Sequence, residues 1–293
     1  MRLSFLSLIC LGFLLIGNCW YAGAMEIELS GGMNFMTFHP DRVTAHGESI
    51  NYKEFKEYPF IFGDFYLKNE ISDKMGFNIH AQRDNILRNS LSGTVTASTE
   101  YFNVEFGPFI GINDNFDKPD AGIMGRMELL YPGIAFLSLS GSSSLGSQYK
   151  FMGDNGRETA EISLGFWLPN TIVNICANFK SYTRQAEDTE IRDELIRIIV
   201  SPEYFIKNAP ITVRLDAGYE ILSRSYKRVN KNIKDELSAV FAGLQVKWQL
   251  TKPLRVNAGF EIPLYCVVTE PMKNPANYFL LYKFNGGIVY SFF

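Results

Sequence analysis

Residues 211–221 read ITVRLDAGYEI. The odd positions are apolar (Ile211, Val213, Leu215, Ala217, Tyr219, Ile221), and the even ones carry Thr212, Arg214, Asp216, Gly218 and Glu220. A period of two is the signature of a β-strand with one apolar face. What that face meets, the core of a sandwich or the hydrocarbon of a membrane, decides the fold.

The same comb recurs in both directions. Upstream it is read at Ile27-Leu29-Met33-Phe35, Ile61-Phe65-Leu67, Phe77-Ile79-Ala81, Leu91-Val95-Ala97, Phe102-Val104-Phe106-Ile110, Ile123-Met127-Leu129 and Ala135-Leu137-Leu139. Ala160-Ile162-Leu164-Phe166, Val173-Ile175-Ala177-Phe179 and Ile196-Ile198-Val200 lead up to the quoted stretch. Downstream lie Val240-Ala242-Leu244-Val246-Trp248, Leu254-Val256-Ala258-Phe260-Ile262 and Leu280-Tyr282-Phe284-Ile288-Tyr290-Phe292. These make 14 strands, with 12 as the alternative count; the third and fourth are the least distinct, because RDNILRNS (83–90) between them reads as loop or strand.

The connections alternate in length. HPDRVTAHGESINYKEFKEYP, NDNFDKPD, SSSLGSQYKFMGDNG, TRQAEDTE, SRSYKRVNKNIKD and CVVTEPMKNPAN are long, whereas KNEISDK, STE, YPG, PN, NA and TKP are short. A soluble sandwich has no reason to keep every second loop tight, whereas outer-membrane barrels join an even number of strands by short periplasmic turns and longer extracellular loops. Phe65, Phe102, Phe166, Tyr204, Trp248 and Phe292 are expected near the short turns as an interfacial girdle.

The chain opens MRLSFLSLICLGFLLIGNCWYAGA, a basic Arg2 followed by an apolar run and a small-residue end. That is a secretory leader, residues 1–24, and one β-domain is expected over 25–293. A lipoprotein leader ending before Cys19 is the weaker alternative, since Asn18 suits a lipidated cysteine poorly. No later stretch holds 18 apolar residues, which excludes helical spans. Lys and Arg number 28 against 31 Asp and Glu, so no basic excess points to nucleic acid. Beyond the leader only Cys176 and Cys266 remain, read as unpaired thiols without metal-ligand spacing.

Residues 25–293, ending GGIVYSFF, resemble a Gram-negative-type outer-membrane β-barrel, nearest in size to monomeric 14-stranded porins. Phe293 itself is in phase with Ser291 and Val289 rather than with the aromatic comb that ends on Phe292. The resemblance implies a monomer in outer-membrane lipid, assembled through a C-terminal Phe by the barrel-assembly machinery. It also implies a channel for passive diffusion of ions and small solutes. The competing function is a closed barrel acting through its surface loops as an adhesin or antigen.

Strand parity sends one set of charges inward. The expected lumen-lining residues are Glu105, Arg126, Glu128, Glu161, Lys180, Arg197, Glu203, Arg214, Asp216, Glu220, Lys247, Arg255 and Glu261, joined by Glu28 and Asp64. A two-residue turn at Asn208-Ala209 pairs Glu203 with Arg214, Ser201 with Asp216 and Arg197 with Glu220 on this face, and Ile198 with Tyr219 on the other. No catalytic, cofactor-binding or metal site is expected: His39, near Asp41, and His46 fall in the first long loop, His80 faces the lumen, and no nucleophile or zinc motif accompanies them.

Overall fold

The computed structural model describes residues 24–34, 60–112, 119–145, 155–186, 189–228, 231–268 and 283–292. Residues 1–23 of the expected leader and the first-loop His39 and His46 lie outside the described residues. Within them run fourteen strands: β1 (Met25–Asn34), β2 (Phe60–Ser72), β3 (Met75–Asp84), β4 (Arg88–Ser98), β5 (Phe102–Ile112), β6 (Pro119–Tyr131) and β7 (Ala135–Ser144). The second half comprises β8 (Gly156–Leu168), β9 (Thr171–Ala186), β10 (Thr189–Phe205), β11 (Ile211–Arg228), β12 (Lys231–Gln249), β13 (Leu254–Val268) and β14 (Lys283–Phe292). Each pairs antiparallel with its sequence neighbours, and β1 closes on β14 with Met25 opposite Phe292 and Asn34 opposite Lys283. The seam is rich in glycine: a Cβ at Gly32 would collide with the Phe284 carbonyl and the Phe62 ring, so only glycine allows this approach.

The cylinder is apolar on the outside. Ile61, Phe106, Ile162, Ile198, Leu215 and Phe284 are each at least half exposed. A water-soluble fold would bury such a belt. The quoted stretch lies in β11 and takes the expected register: Glu203 opposite Arg214, Val200 opposite Ala217, Arg197 opposite Glu220 and Ile198 opposite Tyr219. Asn208 sits at φ 66° in the turn, and Asn170 at φ 57° plays the same part between β8 and β9, a backbone region that asparagine tolerates better than most residues.

Three connections depart from expectation. TRQAEDTE and SRSYKRVNKNIKD are mostly ladder, because β9 runs to Ala186, β10 starts at Thr189, β11 runs to Arg228 and β12 starts at Lys231. A membrane strand needs about 9–11 residues, yet β12 has 19. These polar segments continue the alternation beyond the span that lipid requires. RDNILRNS resolves into the end of β3, a tight turn, and the start of β4, so a short connection stands at the end where long ones were expected.

That turn folds into the lumen. Asp84 Oδ1 accepts the backbone N–H of Ile86 (2.8 Å) and Leu87 (2.9 Å), which closes the bend locally. Arg88 follows at φ 63°, an unusual backbone for arginine. Partners on the far wall hold it there. Asp84 meets Lys180 of β9 at 2.5 Å, Arg157 of β8 donates to the Leu87 carbonyl at 2.6 Å, and Arg88 reaches Asp193 of β10 at 3.4 Å. Ile86 is 1 % exposed.

Asp193 is the hub of this closure. It accepts Arg224 on both carboxylate oxygens, one at 2.7 Å, while Arg184 stands at 3.5 Å and Arg88 at 3.4 Å. Ile191, Leu195, Leu222, Leu237 and Phe241 are buried on the same inward parity, so the long-connection end of the lumen is partly a core and not uniformly polar. The tucked turn brings Ile86 and Leu87, both buried, into this end.

In a Cys176→Ser, Cys266→Ser background, cysteines at positions 203 and 214 are expected to crosslink on oxidation while the pair at 204 and 214 does not, scored by gel mobility of the unheated barrel; the opposite result places the hairpin one residue out of register. Asp193→Asn should lower the unfolding free energy of the refolded barrel by about 3–5 kcal/mol, because it leaves buried guanidinium groups without a counter-charge. Asp73→Asn, at an exposed turn, is the control for urea titration and should shift the midpoint little.

Candidate functional site: the charged lumen

The middle of the lumen is built around Arg197. Its parity on β10 aims the guanidinium inward, where it meets Glu220 of β11 at 2.8 Å and Glu261 of β13 at 2.7 Å. Lys283 of β14 approaches the other oxygen of Glu261 at 3.4 Å. The Arg197 guanidinium also lies 4.4 Å from the centre of the Phe241 ring, a cation–π contact. Four charges from four strands are thus linked in the order Glu220–Arg197–Glu261–Lys283, with the sign alternating along the contacts.

Nearer the short turns, the expected residues sort differently from their register. Glu203 faces Arg214 across the ladder, but its carboxylate takes Lys247 of β12 at 2.9 Å. Arg214 turns instead to Asp216 on its own strand at 3.1 Å, and Asp216 also accepts the Ser201 hydroxyl at 2.5 Å. Backbone pairing brings side chains within reach and leaves the choice among several partners to rotamers. Arg255 is half-buried on β13 opposite Gln249 and Val289, away from the Arg197 arc.

On the opposite arc, Glu105 accepts Asn78 at 2.9 Å and also Thr94, tying β5 to β3 and β4. Glu128 accepts Asn103 at 3.0 Å and stands 3.6 Å from Arg126. Glu161 accepts Asn178 at 3.0 Å. Lys180 spans the lumen to Asp84, and this crosspiece separates two cavities. One, about 300 Å³, is bordered by Arg197, Glu220, Glu261 and Lys283 together with Cys176. The other, about 400 Å³, lies against β2–β9.

The sequence reading passed over several of the groups that shape this interior: Asp84, Arg88, Asp120, Arg157, Arg184, Asp193, Arg224 and Lys283. Arg157 pairs with Asp120 and stacks 4.7 Å from the Tyr182 ring centre. The signal was present. Counting by two from Arg197 reaches Asp193, from Glu220 reaches Arg224, from Lys180 reaches Arg184 and from Glu161 reaches Arg157. Arg184 and Arg224 stand in segments whose polarity predicts loops, and Asp193 lies just before the Ile196-Ile198-Val200 comb, so the inward parity read from the combs stops short of them.

Among the aromatics expected near the short turns, Phe166, Tyr204, Trp248 and Phe292 are 39–49 % exposed on the outer face, and Phe102 is half-buried. Phe65 is placed otherwise. It is 2 % exposed in the middle of β2, clustered with Leu67 and Ala81, and so belongs to no ring at the turns. His80 lies 3.2 Å from Asp64 with its ring edge against Tyr66, an arrangement without a nucleophile. Cys176 is a free thiol. Among the described residues no group of three or more His, Cys, Asp or Glu side chains is placed to hold a metal ion.

No known family profile matches the chain, and no curated protein matches it in sequence. Solved structures do. A bacterial polysaccharide outer membrane secretin aligns over 92 % of this chain and 97 % of its own, at 6 % identity and a TM-score of 0.50. An outer membrane channel from Pseudomonas putida aligns over 92 % and 95 %, at 7 % identity and a TM-score of 0.48. A loop-deletion mutant of OmpT, an outer membrane protein of Vibrio cholerae, covers 92 % and 100 %, at 10 % identity and a TM-score of 0.40. At such identities the likeness is one of fold. A closed antiparallel cylinder of fourteen strands, apolar outside and charged within, is the architecture of an outer-membrane β-barrel.

Proposed function

We propose that the lumen is a route for passive diffusion of ions and small solutes across the outer membrane, in the manner of a narrow porin. In this reading residues 1–24 are removed on export and residues 25–293 act as a monomer, inserted through the C-terminal aromatic signal. The observation that carries it is the pair of cavities, about 300 and 400 Å³, on either side of the Lys180–Asp84 crosspiece and both lined by ionised side chains. About eight strands give an interior filled by side chains, and 16–18 give an open aqueous channel. Fourteen falls between, which suits a lumen narrowed by one short turn. Charges serve a channel there by replacing the hydration of a passing ion.

The rival reading is a closed barrel that presents its long connections as an adhesin or surface antigen. The clamp of Asp193 on Arg88 and Arg224 favours it, because it pins the turn across the long-connection end. Planar-bilayer recording separates the two. Refolded protein is expected to show small, reproducible conductance steps, and a lasting absence of channels would support display. Lys180→Ala leaves Asp84 capping its own turn but removes the crosspiece, so unitary conductance should rise; an unchanged value would place the narrowest point elsewhere.

Ion preference follows from the Arg197 arc. Glu220 and Glu261 flank Arg197, and Lys283 adds a second cation. Glu220→Gln combined with Glu261→Gln leaves both cations uncompensated and should lower the cation-to-anion permeability ratio. The change should be largest at low salt, where screening is weakest. A ratio insensitive to the double change would confine these charges to tying strands together.

A further inference from the structure

A closed ladder has no edge, and proline, which has no N–H to give, is ordinarily kept to sheet edges and bulges. Pro108 nevertheless stands in the middle of β5 on the lipid-facing parity, between the outward Phe106 and Ile110. The β4–β5 ladder breaks there without a change of register: Ser92 pairs with Phe109 and Val95 with Phe106, but Gly93 and Thr94 are not laddered to Pro108 and Gly107. Pro108 has no donor for the Gly93 carbonyl, at a depth where hydrocarbon supplies none. Gly107 compounds the break. A Cβ on it would point inward, on the parity of Glu105 and Phe109, and would fall on the Gly93 carbonyl and the Thr94 Cα, so β4 steps toward the lumen across Gly107. On the outside the step leaves a notch. A Cβ at Gly93 would meet nothing within 4 Å, and Val95, Phe106 and Ile110 around it are all more than half exposed.

The cavity of about 400 Å³ lies directly behind this stretch. Ser92 and Phe109, the last pair above the break, border it, as do Glu105 below the break and Met124, which stands opposite Gly107 on β6. Met124 is unbranched and adaptable, a side chain that yields readily. Apolar and polar groups meet in this space: Phe109 and Met124 face it together with Ser92, His80 and a half-exposed Arg126 that stands 3.6 Å from Glu128. A second proline, Pro202, interrupts β10–β11 in the same way, between Val200–Ala217 and Glu203–Arg214. There the inward pair is Ser201 and Asp216, and the Ser201 hydroxyl donates to Asp216 at 2.5 Å, which shuts the gap from within. The matching inward pair at β4–β5 is Thr94 and Gly107. Gly107 has nothing to offer, and Thr94 turns to Glu105 at the short-turn margin of the break.

We propose that the β4–β5 seam at Gly93–Pro108 is a lateral port between this cavity and the hydrocarbon, and that it takes a slender amphiphile, an apolar chain with a polar end. The polar end stays with the hydroxyl, imidazole and guanidinium groups of the cavity, and the chain passes outward through the break and the notch at Gly93. The inference rests on the lumen being a solute route and adds a sideways branch to it. Ions follow the axis of the barrel and need no opening of the wall, whereas the amphiphile uses a stretch of wall in which two successive pairs are already missing.

Photolabelling of the full refolded barrel in lipid nanodiscs tests the port without any need for conductance. The probe is dodecanol carrying a diazirine beside its hydroxyl end, and mass spectrometry maps the label. Label is expected on the inward Phe109 and Met124 as well as on the outer belt, and not on the inward Ser201 and Asp216 behind the bridged break. Pro108→Ala with Gly93→Val restores a donor and fills the notch, where there is room for a side chain. Inward label should then fall about fivefold or more while the outer label stays, and heat-modifiable mobility on gels reports that the barrel is intact. Inward label unchanged in that variant, or equal at Phe109 and Ser201, would overturn the port, because the probe would then be entering through the mouth of the lumen. Should the variant not refold, the contrast between Phe109 and Ser201 in the unaltered protein still decides. Label at Phe109 in a protein that forms no channels would sink the diffusion reading alone; channels without that label would sink the port alone.

Discussion

A backbone that crosses hydrocarbon has no water to satisfy its N–H and C=O groups, and a sheet can meet that demand only by closing on itself. The pairing of β1 with β14 is therefore the contact on which every other feature of this protein depends. Once the ladder is continuous, side chains alternate between lipid and lumen except at the irregularities in β2 and β13, and the ordinary order of burial is inverted. Large apolar residues sit outside and exposed, and charged residues sit inside at low accessibility. The glycine-rich seam reflects the same demand, since the two terminal strands approach too closely at Gly32 for a side chain to intervene.

Closure leaves the interior undetermined. A fourteen-strand cylinder is too wide for side chains to fill unaided, and this protein fills it unevenly. At the long-connection end the β3–β4 turn enters, and its buried Ile86 and Leu87 come with a cluster of arginines organised by Asp193. Charges of this kind, taken out of water, are tolerable only when each has a partner, and their value lies more in fixing one arrangement than in net stability. Here the arrangement they fix is the position of a turn that would otherwise have no reason to cross the lumen.

Nearer the short turns and in the middle, the wall is polar and cavities remain. Ion pairs there join three and four strands, as Arg197, Glu220, Glu261 and Lys283 do. Within a low-dielectric wall these interactions are stronger than at an open surface, and they divide the lumen into an arc of linked charges around Arg197 and an opposite arc of separate acids held mostly by amides, with a half-exposed Arg126 beside them. The division follows from partner choice, not from composition, since both arcs contain acids and bases.

The barrel, its strand order and the register of the β10–β11 hairpin were legible in the amino-acid sequence because strand alternation is local: two residues advance the chain and return it to the same face. The same rule named inward residues such as Arg197 and Glu261, and it would have reached Asp193 and Arg224 had it been followed through the polar tips of the hairpins. Length and polarity made those tips look like loops, although the ladder continues through them. Tertiary structure alone decided that Asp84 meets Lys180, that Lys247 rather than Arg214 takes Glu203, and that Phe65 is enclosed. Those contacts join residues on different strands, some on opposite sides of the cylinder. No local period encodes which of several inward charges will meet, because that is settled by the width of the closed barrel and by the rotamers available within it.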